Sequence, residues 1–139
     1  MRDPWRPWKE FVESSPVADE AMWIEHATRF VTAFVDPARR ERWRWLLLER
    51  PRRIGRDSHK LHSNLDPRFC QAEGVLPPEV LTGEGLYYPF AGLPRVAPAS
   101  SIELAVGTGD AIFSLVPGKL AVYFFHEGEI WLCRAHSRR

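Results

Sequence analysis

Cysteine is scarce in this chain: Cys70 and Cys133 are the only two among 139 residues. They allow one bridge at most, which excludes a disulfide framework as the source of stability. No apolar run approaches the roughly 18 residues of a membrane-spanning helix. The opening residues Met1-Arg2-Asp3-Pro4 lead into no apolar signal segment, so a cytoplasmic chain without a membrane partner is expected. Charge of one sign is lacking as well. Nineteen Lys and Arg against eighteen Asp and Glu leave a net charge of +1, which excludes polyanion binding by bulk charge. There is no phosphate-binding loop, dinucleotide fingerprint or nucleophile elbow. The glycines of Gly107-Thr108-Gly109 sit in a turn and open no helix.

What the chain does have is an ordinary globular composition, 45% hydrophobic and 27% charged, which fits one domain spanning residues 1–139. Residues 1–65 read as mainly helical. Trp8, Phe11 and Val12 have the spacing of a short first helix, from Pro7 to about Glu13. Ser15-Pro16 supplies a cap followed by proline for a second helix, which the stripe Trp23, Ala27, Phe30, Val31 and Phe34 carries to about Val35. Asp36-Pro37 repeats the signal for a third helix ending at about Arg50, and residues 52–65 have room for a short fourth. Residues 66–101 are rich in proline and glycine and read as an irregular connection, with 85–90 its best strand, placed at a sheet edge because of Pro89.

Residues 102–134 alternate as a four-stranded antiparallel meander with turns at 107–110, 116–119 and 126–129. Two-residue loops at all three would pair Leu104 with Phe113, Leu115 with Leu120, Phe113 with Val122, Phe124 with Trp131, and Val122 with Cys133. One face then carries Phe113, Leu115, Val122, Phe124 and Trp131 against a helix layer. The other gathers Ile112, Tyr123, Phe125, Ile130 and Leu132 into a second apolar patch. Such patches mark interaction sites when nothing in the chain covers them. The fold class is therefore α+β, a three- or four-helix N-terminal half packed on a C-terminal sheet.

Net charge conceals an asymmetry. Residues 39–60 hold nine Lys and Arg against three acids, and eight of the nine are Arg, with Trp43 and Trp45 interleaved. Arginine forks onto carboxylates and phosphates. Arginine and aromatic residues also supply most interface hot spots. Arg52, Arg53, Arg56, Tyr123, Phe125 and Ile130 are accordingly the expected partner-contact residues. The leading functional expectation is a non-enzymatic protein-binding module of the small bacterial immunity, inhibitor or adaptor type, taking an acidic protein or a second copy of itself. The alternative is a nucleic-acid binder using Arg39–Lys60.

A third reading is a small metal-dependent or Cys/His enzyme. His59 with His62, and Cys133 with His136, are pairs three residues apart that could contribute to a tetrahedral zinc site. Alternation works against it, because Cys133 points to the core and a continuing strand turns His136 the other way. Cys70 near His59 and His62 has the residue types of a nucleophile and base but no motif that places them. No catalytic residue, metal or cofactor is assigned on these grounds.

Overall fold

Helix starts in this chain are set by side-chain caps and by what the preceding residues are already bonded to. In a computed structural model describing residues 3–49, 54, 60–90 and 92–135, α1 spans Arg6–Ser14, α2 Glu20–Phe34, α3 Arg40–Leu48 and α4 Leu61–Asn64. The second helix begins at Asp19, whose carboxylate accepts the Met22 amide at 2.8 Å, rather than at Ser15. The reason lies in residues 16–18, which are extended along the outer edge of the sheet. Pro16 accepts the Val96 amide, the Ala18 amide donates to Pro94, and Val17 bridges Arg95. Asp36 caps Ala38 as expected, but Pro37–Arg39 forms a 3₁₀ turn before α3 proper.

The strands are β1 Cys70–Glu73, β2 Glu84–Pro89, β3 Arg95–Pro98, β4 Ala111–Val116, β5 Leu120–Phe124 and β6 Ile130–Arg134. They form one antiparallel sheet in the order β1-β6-β5-β4-β2-β3. The expected helical half and C-terminal antiparallel sheet are both present, with six strands instead of four. Half of the strands come from the connection expected to be irregular. β2 lies inside the sheet between β3 and β4, not at an edge, and Pro89 is tolerated because it is the strand's last residue.

Two corrections concern register. Residues 99–105 form a 3₁₀ helix that buries Ala99, Ile102 and Ala105 and leaves Leu104 exposed. That spacing of three is the 3₁₀ period, and it competes with the strand alternation of Ile102, Leu104 and Val106. Phe113 therefore faces Tyr87 on β2 rather than Leu104. It does pair with Val122 on β5, as the Val116–Lys119 turn requires, although a shift between Ser114 and Val116 sets Val116 rather than Leu115 opposite Leu120. At the last hairpin the loop carries an extra residue. The Phe125 amide donates to Glu129, and Gly128 at φ 94° takes the left-handed position of a bulged turn. Phe124 consequently faces Ile130 and Val122 faces Leu132, so β6 is turned over relative to the two-residue expectation.

Both faces of the sheet are covered by the chain itself. α2 and α3 pack Phe30, Phe34, Trp43 and Leu47 against the face bearing Leu86, Tyr88, Ile112, Tyr123 and Cys133. On the other face, Phe11 of α1, Val80 and the 99–105 helix cover Tyr87, Phe113, Val122, Phe124 and Leu132. The layer over Phe113, Val122 and Phe124 is thus short helices rather than the long amphipathic ones. Among the described residues no helix is long and apolar enough to cross a membrane.

Candidate functional site

The described part of the Arg-rich segment is α3 and its flanks. Helical periodicity sends Trp43, Leu46 and Leu47 inward, where Trp43 Nε1 donates to Asn64 Oδ1 at 2.9 Å and ties α3 to α4. The same periodicity leaves Arg39, Arg42 and Arg44 exposed and Trp45 half-buried. The Arg42 guanidinium lies over the Trp45 ring, 5.5 Å from its centroid, a contact that holds a flexible cation in a defined direction.

Two concavities flank this stack. One, of about 350 Å³, is lined by Arg39, Arg42, Trp43, Lys60, Ser63 and Asn64. The other is shallow and is bounded by Glu41, Arg42, Arg44, Trp45 and Glu49. Among the described residues the wall of the first holds three cationic side chains and no acid, a balance that suits an anion. Arg50, Arg52, Arg53 and Arg56, the remaining arginines of the segment, lie outside the described residues, as does His59.

Of the apolar contact residues expected on the sheet, Tyr123 and Phe125 come together, with ring centroids 6.4 Å apart, and Ile130 does not join them. Tyr123 is 0% exposed beneath α2 and α3, and burial pushes its phenol far above the usual tyrosine range. Ile130 is buried on the opposite face, as the register of β6 dictates. Phe125 is half-buried in the turn after β5, with its ring 4.6 Å from His62 and 4.4 Å from His126. The second apolar patch therefore does not form as expected, because Ile130 and Leu132 lie on the other face, and both faces are covered by the chain's own helices.

Among the four metal candidates, His136 also lies outside the described residues. Cys133 is fully buried opposite Cys70, while His62 stacks on Phe125 and Trp131. Among the described residues no three His, Cys, Asp or Glu side chains converge. Among these described residues the enclosed His62 Nδ1 has no hydrogen-bond partner.

One polar pair carried no signal in the sequence. His26 of α2 and Ser114 of β4 meet inside the core, with Nδ1 2.7 Å from Oγ. Burial holds the His26 imidazole below the ordinary histidine range, against a small opposing effect of Glu25. Ser114 is only 2% exposed, so its hydroxyl is not presented to a substrate. The pair joins helix to sheet and satisfies two groups that would each be costly to bury alone. Eighty-eight residues separate its members, and only tertiary structure brings them into contact.

Compared with protein-family models, with curated proteins and with solved structures, the chain finds no match in any of the three.

Proposed function

We propose that this chain is a non-enzymatic protein-binding module that docks an acidic partner on the α3 surface. The observation that carries the reading is the Arg42–Trp45 stack set between two concavities, with Arg39, Arg44 and Lys60 around it. A planar cation held over an indole supplies both a fork for carboxylates and an apolar contact, the combination that dominates interface energetics. In this reading Tyr123 is scaffold beneath α2 and α3 and Ile130 is core on the opposite sheet face, and neither is a contact. An immunity-, inhibitor- or adaptor-like role is the class such a surface serves.

The test is affinity capture from nuclease-treated native lysate, with the full chain compared against its Arg39→Glu/Arg42→Glu variant. An acidic protein retained by the first, released by salt and lost from the second while the melting temperature holds, supports the proposal. Equal capture by both overturns it. The nucleic-acid reading rests on the same cavity, whose wall of Arg39, Arg42, Lys60, Ser63 and Asn64 also suits a phosphate. Titration of generic labelled single- and double-stranded oligonucleotides at low salt decides between the two. Binding that weakens steeply with salt favours nucleic acid.

A further inference from the structure

On the sheet face opposite α3, a further cavity of about 370 Å³ opens between α1, the residues just before β3 and the loop before β4. This is within the size range of small-molecule sites. It is lined by Trp8 of α1, Tyr87 of β2, Phe90, Leu93, Arg95 of β3 and Asp110. Leu93 is 58% exposed, an aliphatic side chain held at the mouth with little packed on it.

An inventory of hydrogen bonds decides what the cavity recognises. Tyr87 OH accepts from Trp8 Nε1 at 3.0 Å. Thr108 Oγ1 donates to the Ala105 carbonyl. Asp110, whose side chain is 6% exposed, receives the His126 amide at 2.7 Å and contacts His126 Nδ1 at 3.0 Å through the same oxygen. Each of these groups already has a partner. Arg95 differs. One of its guanidinium nitrogens donates to the Ser15 carbonyl at 2.8 Å, and no carboxylate lies within ion-pair distance of it among the described residues. A guanidinium has five N–H donors in a planar fork, so capacity remains for an oxyanion.

The geometry around Arg95 is fixed before any ligand arrives. Its backbone pairs with Tyr87 on one side and bridges Val17 on the other, and the bond to Ser15 anchors the side chain. Asp110 on the same lining repels an anion, so charge favours an occupant whose anionic end meets Arg95. We propose that this cavity binds a small free carboxylate with an aromatic or bulky apolar body. The body would rest among Trp8, Tyr87, Phe90 and Leu93, and the carboxylate would meet Arg95. The site is separate from the α3 surface and stands or falls without it.

The test uses the full chain and a set of probes: phenylacetate, indole-3-acetate, the neutral phenylacetamide and the cationic phenethylammonium. Amide and indole N–H shifts are followed by two-dimensional NMR, and affinities by calorimetry. The expected result is saturable shifts centred on Trp8 Nε1–H, Leu93, Arg95 and Thr108 for the two carboxylates. The amide should bind roughly tenfold or more weaker, the scale of one charge-assisted hydrogen-bonded contact, and the cation should not bind. Arg95→Gln should erase the preference for acid over amide. If that variant fails to fold, the acid–amide comparison on the unaltered chain decides alone. Equal binding of acid and amide, shifts centred elsewhere, or no saturable binding by either carboxylate overturns the proposal.

Discussion

Cys70 and Cys133 face each other directly across β1 and β6, in a pair that exchanges no backbone hydrogen bonds. The Arg134 amide donates instead to the Phe69 carbonyl, one residue beyond the pair on each strand. Such narrow positions bring the two Cα atoms to about 4.5 Å. Both thiols are free and buried, and the Cys70 thiol donates weakly to the Phe34 carbonyl. Burial, and then the neighbouring Cys70 thiol, push the Cys133 thiol well above its ordinary value.

The native chain should therefore react very slowly with a thiol reagent such as DTNB at neutral pH, because the nucleophile is the thiolate. Two thiols per chain should titrate at once in denaturant. Rapid native labelling of either cysteine would contradict this packing. The spacing of about 4.5 Å also lies within the range disulfides use. Refolding in oxidised glutathione should accordingly give an intrachain Cys70–Cys133 bond, with the glutathione disulfide reduced to two thiols, rather than a covalent dimer. Non-reducing peptide mapping reads the outcome.

The His26–Ser114 contact predicts a pH dependence. Because burial depresses the folded-state pKa of His26, the unfolded chain binds the proton more readily. The contribution of His26 is fully present above the unfolded histidine pKa of about 6.5 and is lost as pH falls through the lower, folded value. Melting temperatures measured down that range should fall, and His26→Gln should flatten the slope. Ser114→Ala leaves an imidazole nitrogen without its partner and should cost about 1–3 kcal/mol at neutral pH.

Gly85 is required for space. A Cβ there would meet the Phe113 ring at 2.8 Å and the Ser114 carbonyl at 2.9 Å. Phe113 is fully buried, and Ser114 belongs to the adjoining strand, so neither yields easily. Gly85→Ala should destabilise by about 1–3 kcal/mol despite the better strand propensity of alanine, read as a lower denaturation midpoint with an unchanged m-value.

The two tryptophans of α3 should separate stability from binding. Trp43 is buried and bonded to Asn64, so Trp43→Ala should cost about 3–5 kcal/mol. Arg42 is exposed over Trp45. Arg42→Ala should cost only about 0.5–1 kcal/mol while abolishing retention of the partner. Equal retention by this variant would count against the proposed docking surface.

Legibility followed the range of the interactions. Helices α1, α2 and α3 were visible because apolar spacing and local caps specify them within a dozen residues. β4 and β5 were visible because the turn at Val116–Lys119 is short. β1 and β3 were not, since four-residue strands among prolines acquire their identity only from the neighbours they pair with. The β6 register failed on a single residue, Gly128, whose positive φ lengthens the loop and exchanges Ile130 and Leu132 with Trp131 and Cys133 between faces. Arginine clustering pointed to the α3 surface from composition alone. The cavity beside Arg95 did not register, because its walls come from α1, β2, β3 and the approach to β4, and no stretch of sequence holds more than a few of them.

The extended residues 16–18 have a further effect on how copies of this chain can meet. By occupying the free margin of β3, they deny that side to an incoming backbone, leaving β1, four residues long, as the sheet's remaining margin among the described residues. Templated growth needs a donor margin and an acceptor margin on every subunit. A single short margin among the described residues favours a closed twofold pair over open-ended strand addition.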